Sequence, residues 1–157
     1  TALMALCAHY AVPLLINDDI DLAAAVGAAG VHLGAGDCDP VIARKRLGPR
    51  AVIGGSCYDS LDRAEMLMQR GADYLAFGSF FPSITKPTAQ QANPTLLTRA
   101  KRLTRPLVAI GGILPDNGKE LINAGADFLA VVSGVFEQSD PGAAARRYKQ
   151  LFPLKNQ

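Results

Sequence analysis

The stretch Leu15-Ile16-Asn17-Asp18-Asp19 runs an apolar, strand-like segment straight into an amide and two carboxylates, and Gly27-Ala28-Ala29-Gly30 closes the Ala- and Leu-rich segment that follows. A short apolar run, a polar loop, an amphipathic segment and a glycine stop make one β/α unit. The same order recurs along the chain. Apolar runs predict strands over Pro13–Ile16, Gly30–Leu33, Ala51–Ser56, Tyr74–Gly78, Leu107–Ile110 and Phe128–Ser133. Between and after them, helices are predicted over Ile20–Ala28, Pro40–Leu47, Ser60–Arg70, Pro94–Leu103, Pro115–Ala124 and Pro141–Phe152. Gly71-Ala72-Asp73 and Gly125-Ala126-Asp127 repeat the stop signal. A glycine just past a helix end takes the left-handed conformation at little cost.

Strands alternating with helices at this spacing imply an α/β fold with a parallel sheet, either open and doubly wound or closed into a barrel. Several strand runs end in polar residues rather than one or two, which favours a (β/α)8 TIM-barrel type, where every strand end faces one mouth. Such a barrel closes with eight strands, and six are visible. The expectation is therefore an incomplete barrel, residues 1–157 forming a single phosphate-binding domain, with two β/α units preceding Thr1.

Composition narrows the function. Residues of hydrophobic type make up 49% of the 157, enough for one sizeable core. A formal charge of +2 is far from the concentrated basic surface of a nucleic-acid binder, so no nucleic-acid partner is expected. The apolar runs are too short for a membrane span. Cys7, Cys38 and Cys57 give an odd count at wide spacing, with neither a disulfide framework nor a zinc knuckle, and this suits a cytoplasmic setting.

Five clusters carry candidate chemistry. Asp18 stands at the end of the first strand, where a hard oxygen ligand suits Mg²⁺; the plainer reading is that Asp18 or Asp19 caps the helix starting near Ile20. The segment Gly30-Val31-His32-Leu33-Gly34 empties into glycines and Asp37. Two acidic strand ends in succession weaken the capping explanation for both. His32, inside an apolar run, reads as a structural histidine bonded to a buried group rather than as a catalytic base. Ser56 follows Gly54-Gly55, which let backbone approach a ligand, while the neighbouring Cys57 has no basic partner in the local sequence and reads as inert.

The fourth cluster is the loop Phe81-Pro82-Ser83-Ile84-Thr85-Lys86-Pro87, with hydroxyls and an ammonium suited to a phosphate or pyrophosphate; a plain solvent-exposed loop is the alternative. Last come Ile110-Gly111-Gly112-Ile113 and Val131-Val132-Ser133-Gly134. In barrels, the loops after the seventh and eighth strands commonly bind phosphate through backbone N–H groups and a helix N-terminus. Gly111, Gly112, Val132 and Ser133 would supply that cradle. Arg146 and Arg147 read as a solvated face.

On the Ile16-Asn17-Asp18 strand end, the Gly30–Gly34 segment with Asp37 after it, the Pro82-Ser83-Ile84-Thr85-Lys86 loop and the Ala109–Ile113 strand, the chain resembles the thiamine phosphate synthase family from about Leu6 to Phe152. The Thr-Lys loop is the most specific of these. The resemblance implies condensation of a hydroxymethylpyrimidine pyrophosphate with a thiazole phosphate, giving thiamine phosphate and pyrophosphate, with Mg²⁺ as the cofactor. It implies Asp18 and Asp37 as metal ligands, Asn17 on the pyrimidine pyrophosphate, and Lys86 on the leaving pyrophosphate. Ser56 would lie near the pyrimidine and its reactive methylene. Ser83 and Thr85 would touch the thiazole phosphate, whose cradle Gly112, Val132 and Ser133 complete. Lys86 and Ser56 are the implied catalytic residues.

Three positions depart from the family pattern. Ala35 and Gly36 stand where the family usually has a Gln and a further polar residue, and Tyr58 stands where it commonly has a His two positions after the serine. The Gln, Arg and Lys of the family's second strand have no counterpart before Leu14, so the chain alone is expected to be impaired, and open strand edges are expected to favour pairing with another copy. Two other readings stay open. One is a thiazole tautomerase-like isomerase, which needs a positioned acid/base that Tyr58 replaces. The other is a non-catalytic phosphate-ligand-binding module of a larger protein, which needs no metal.

Overall fold

The computed structural model describes residues 2–82 and 91–153. Among the described residues, eight α-helices and six strands follow one another: α1 (Ala2–His9), β1 (Leu15–Asn17), α2 (Ile20–Val26), β2 (Gly30–Leu33), α3 (Pro40–Leu47), β3 (Val52–Tyr58), α4 (Leu61–Gln69), β4 (Tyr74–Phe77), α5 (Thr95–Ala100), β5 (Leu107–Ile110), α6 (Pro115–Ala124), β6 (Phe128–Ala130), α7 (Ser133–Phe136) and α8 (Pro141–Lys149). The sheet order is β1-β2-β3-β4-β5-β6, so each strand neighbours the next in sequence. Parallel strands in sequential order are the wall of a (β/α)8 TIM-barrel type, here with six of its strands.

Local chemistry explains the boundaries. Asp19 caps α2, its side chain accepting from the backbone N–H of Leu22 at 2.8 Å, and Gly27 ends it at φ 67°. Asp39 caps α3 ahead of Pro40 at the first turn, and Asp140 does the same for α8 ahead of Pro141. Register follows the pleat: Leu15, Ile16 and Asn17 of β1 face Gly30, Val31 and His32 of β2.

The chain divides into two compact units. The first takes in Thr1–Cys57 with Asp62–Leu75, and the second Tyr58–Leu61 with Ala76–Gln157. In the first, Ala23, Val31, Leu33, Ala43 and Ile53 form a buried cluster that Ile16, Ile20 and Leu47 extend. In the second, Phe77, Leu97, Leu107, Ala109 and Leu121 are all fully buried.

Both Gly-Ala-Asp stops do more than end helices. Asp73 accepts the backbone N–H of Ile53 at 2.7 Å through its carboxylate and donates its own N–H to the Ile53 carbonyl at 2.7 Å. Asp127 repeats both bonds on Leu107, at 2.8 and 2.8 Å. Each aspartate thus ties the start of one strand to the preceding strand, satisfying groups that the ladder leaves over.

Several elements differ from the sequence reading: β1 covers Leu15–Asn17 rather than Pro13–Ile16, α8 stops at Lys149 rather than Phe152, and three further differences bear on the fold. Helix α1 was not anticipated, having neither cap nor stop signal and burying none of its residues. The last strand ends at Ala130 instead of Ser133, because the chain turns at Val132 into the short α7, so Ser133 opens a helix rather than closing a strand. At the other extreme, β3 runs on to Tyr58, two residues beyond the predicted end.

Candidate active site

In the first unit, the two carboxylates expected to hold a metal follow the C-terminal ends of neighbouring strands. Asp18 comes directly after β1 and donates its backbone N–H to the His32 carbonyl of β2 at 2.8 Å, which brings it alongside the strand that leads to Asp37. It sits at φ 67°, a left-handed conformation that non-glycine residues adopt with strain. Asp37 closes the turn after β2, its Oδ2 accepting the backbone N–H of Gly34 at 2.6 Å. Helix capping falls to their neighbours. Asp19 caps α2 and Asp39 caps α3, so neither Asp18 nor Asp37 has that structural duty.

Asp39 also pairs with Arg70, and its pKa is lowered first by the hydrogen bond from the Val41 N–H and then by Arg70. Among the described residues, no three His, Cys, Asp or Glu side chains are gathered as a metal-binding group. A pair of exposed carboxylates fits a hard divalent cation that draws its remaining ligands from water and substrate phosphate, as Mg²⁺ does. Asn17, also exposed, lies opposite His32 in the β1–β2 register.

His32 is the hub of this half. Its Nδ1 lies 2.8 Å from the hydroxyl of Tyr74 and its Nε2 2.9 Å from Oγ of Ser56, and its ring stacks on the Tyr74 ring at 5.6 Å and 20°. Burial pushes the imidazole pKa below its ordinary value, against a smaller upward pull from Asp37, and pushes the Tyr74 phenol up to about 12. Both are therefore held in their neutral forms near neutral pH. His32 is a bonded structural group, as its place in an apolar run suggested. Ser56 is fixed from a second side, because Arg63 of α4 donates Nε–H to its carbonyl at 2.6 Å. Cys57 is fully buried, its thiol directed to the Gly55 carbonyl at 3.6 Å, which agrees with an inert role.

In the second unit, β5 is followed by Gly111 at φ 99° and Gly112 at φ 62°. A Cβ on Gly112 would fall 2.3 Å from the Pro82 carbonyl oxygen, so only glycine lets the two segments meet. Asn117 of α6 holds the turn, its Nδ2 donating to the Gly112 carbonyl at 3.1 Å while its Oδ1 accepts the Leu114 N–H at 2.8 Å. Tyr148 of α8, largely buried, donates to the next carbonyl, that of Ile113, at 2.9 Å. Its hydroxyl occupies the place a side chain at Gly134 would take, 2.0 Å from the built Cβ. One phenol thereby braces both candidate phosphate segments, the Gly112 turn and the Val132-Ser133 start of α7. Val132 is exposed and Ser133 half-buried there.

Ser83, Thr85 and Lys86 lie outside the described residues. The sequence reading missed Tyr74, Asn117 and Tyr148, all of which act through fixed contacts. For Tyr74, the available signal was Gly54, whose missing side chain makes room for it. A cavity of about 840 Å³ lies elsewhere in the second unit, lined by Arg105, Asp127, Phe128 and Phe152 where β5 and β6 begin, away from their site-bearing ends.

Residues 1–135 match the family described as thiamine monophosphate synthase. A thiamine-phosphate synthase of Azoarcus sp. is 55% identical over 152 residues, covering 96% of this chain and 74% of the relative. One from Xylella fastidiosa is 49% identical over 153 residues, covering 98% of this chain but 65% of its own length. The chain thus spans about two thirds to three quarters of these curated relatives. The solved structure of a thiamine phosphate pyrophosphorylase from Pyrococcus furiosus superposes with a TM-score of 0.84 at 34% identity, over 94% of this chain and 70% of that one.

Proposed function

The chain belongs to the thiamine monophosphate synthase family, and we propose from that premise that it carries out thiamine phosphate synthesis, joining hydroxymethylpyrimidine pyrophosphate to thiazole phosphate with release of pyrophosphate. The observation that carries this reading is the division of labour among the acids. Asp19 and Asp39 cap helices, while Asp18 and Asp37, which follow adjacent parallel strands, cap none.

In this reaction the bond between the pyrimidine methylene and the pyrophosphate oxygen breaks, and its electron pair leaves with the pyrophosphate. The methylene carbocation is stabilised by the electron-rich ring, and the thiazole nitrogen donates its lone pair to form the C–N bond. No general base is required. Negative charge builds on the departing oxygens, so fixed cations beside them lower the barrier without reorganising. Mg²⁺ held by Asp18 and Asp37 would supply one such charge. Lys86 is assigned the other and Asn17 a hydrogen bond to the pyrophosphate. Ser56, held by His32, is assigned to the pyrimidine; Ser83, Thr85, Gly112, Val132 and Ser133 to the thiazole phosphate.

A cytoplasmic setting and association with another copy belong to the same reading. Cys7, Cys38 and Cys57 are free thiols, and no helix among the described residues is long and apolar enough to cross a membrane.

Calorimetric titration with the pyrimidine pyrophosphate, with and without Mg²⁺, tests the assignment. Binding that needs Mg²⁺ and is lost in Asp18→Asn and Asp37→Asn is the expected result. Binding indifferent to the metal and to both substitutions would remove the basis of the proposal.

A further inference from the structure

The contacts of His32 form a line that the proposed chemistry does not by itself require. Gly54 lacks a side chain where one would collide with the Tyr74 ring, its built Cβ standing 1.9 Å from Cζ and 2.3 Å from the hydroxyl oxygen. The ring occupies that space, stacks on His32 and brings its hydroxyl to Nδ1. The far nitrogen, Nε2, meets Ser56. All four residues belong to one compact unit.

A neutral imidazole offers one donor and one acceptor, so what happens at Nδ1 decides what Nε2 presents. Among the described residues, His32 Nδ1 is the hydrogen-bond partner of the Tyr74 hydroxyl. A phenol O–H is a stronger donor and a weaker acceptor than an aliphatic hydroxyl, so of the two tautomers these contacts allow, the one in which Tyr74 donates to Nδ1 is favoured. Nε2 then carries the ring proton and donates to Oγ of Ser56, whose own O–H is left to donate outward.

We infer that Tyr74 is a positioning residue: it selects the Nε2–H tautomer of His32 and thereby turns the Ser56 hydroxyl into a donor aimed at an acceptor nitrogen of the pyrimidine. The inference rests on the proposed role of Ser56 and deepens it. The opposite tautomer would consume the Ser56 proton on Nε2 and present only lone pairs to a ring nitrogen, which repel.

Tyr74→Phe keeps the ring in the space over Gly54 and removes one oxygen, and nitrogen NMR of the histidine side chains in the 157-residue chain reads the tautomer directly. The wild type is expected to show Nε2–H, Ser56→Ala to retain it, and Tyr74→Phe to shift toward a mixture with Nδ1–H. An Nδ1–H wild type, or a Tyr74→Phe spectrum matching the wild type, overturns the inference.

Affinity for the pyrimidine pyrophosphate gives the second readout. A single lost hydrogen bond predicts about a tenfold weakening in Tyr74→Phe, and no further weakening when it is added to Ser56→Ala. Independent, multiplying effects would make Tyr74 merely structural and overturn the inference. Unchanged affinity in Ser56→Ala would instead overturn the pyrimidine role of Ser56, with the tautomer of Tyr74→Phe still deciding the Tyr74 claim on its own.

Discussion

The carboxylate of Asp127 accepts the backbone N–H of Leu107, twenty residues earlier in the chain, at 2.8 Å. A part-buried N–H loses this acceptor if that carboxylate is removed. Asp127→Ala is expected to destabilise the protein by about 1–3 kcal/mol, and Asp127→Asn by less, since its amide oxygen can still accept. Asp73→Ala should cost more than Asp127→Ala, because Asp73 also pairs with Arg44 at 2.7 Å. Urea unfolding of the three variants checks the order.

Asp18 combines a candidate ligand with a left-handed backbone, and the two roles separate by substitution. Asparagine tolerates positive φ almost as well as aspartate, so Asp18→Asn should unfold within about 0.5 kcal/mol of the wild type while losing Mg²⁺-dependent binding. Asp18→Val should lose binding and also about 1–2 kcal/mol of stability, because a branched Cβ crowds the following carbonyl. Equal stability for the two variants would contradict the strain.

The depressed pKa of His32 makes stability depend on pH in a definite direction. Between the folded value and 6.5, the unfolded chain binds the proton and the folded one does not, so stability rises with pH through that window. Its contribution is fully present above 6.5 and is lost as the pH falls toward the folded pKa. Thermal midpoints recorded from about pH 7.5 down to about pH 5 should fall, and His32→Asn should flatten the slope. The Asp39 carboxyl, also depressed, acts in a separate window below 3.8.

Tyr148 offers a test of the second unit. Tyr148→Phe leaves the Ile113 carbonyl without its donor, at a cost of about 1–2 kcal/mol, and should weaken binding of thiazole phosphate by loosening the Gly112 turn. Asn117→Asp replaces the amide donor to the Gly112 carbonyl with a charged acceptor and should weaken phosphate binding more strongly. Titration with thiazole phosphate, alongside unfolding curves, separates affinity from stability.

Much of this molecule is legible in its sequence, for identifiable reasons. Strands β2 and β5 and helices α3 and α6 fall on their predicted bounds because glycine, proline and aspartate mark their ends. Helix α1 lacks such marks and was missed. The end of β6 was misjudged because Val131-Val132-Ser133 is strand-like in composition, while the turn at Val132 is imposed by the chain around it. Asp18 and Asp37 follow strands, as their places after apolar runs suggested, whereas Ser56 lies within β3. Tyr74 and Tyr148 were missed because their roles depend on partners 42 and 35 residues away. No local pattern encodes such pairings.

The missing side chain at position 54 binds two sites into a single inheritable choice. A lineage that enlarges residue 54 must first trim residue 74, and trimming residue 74 surrenders the phenol that orients the imidazole. Across related sequences the two positions should therefore change together or not at all, with tyrosine at the later site accompanied by glycine at the earlier one.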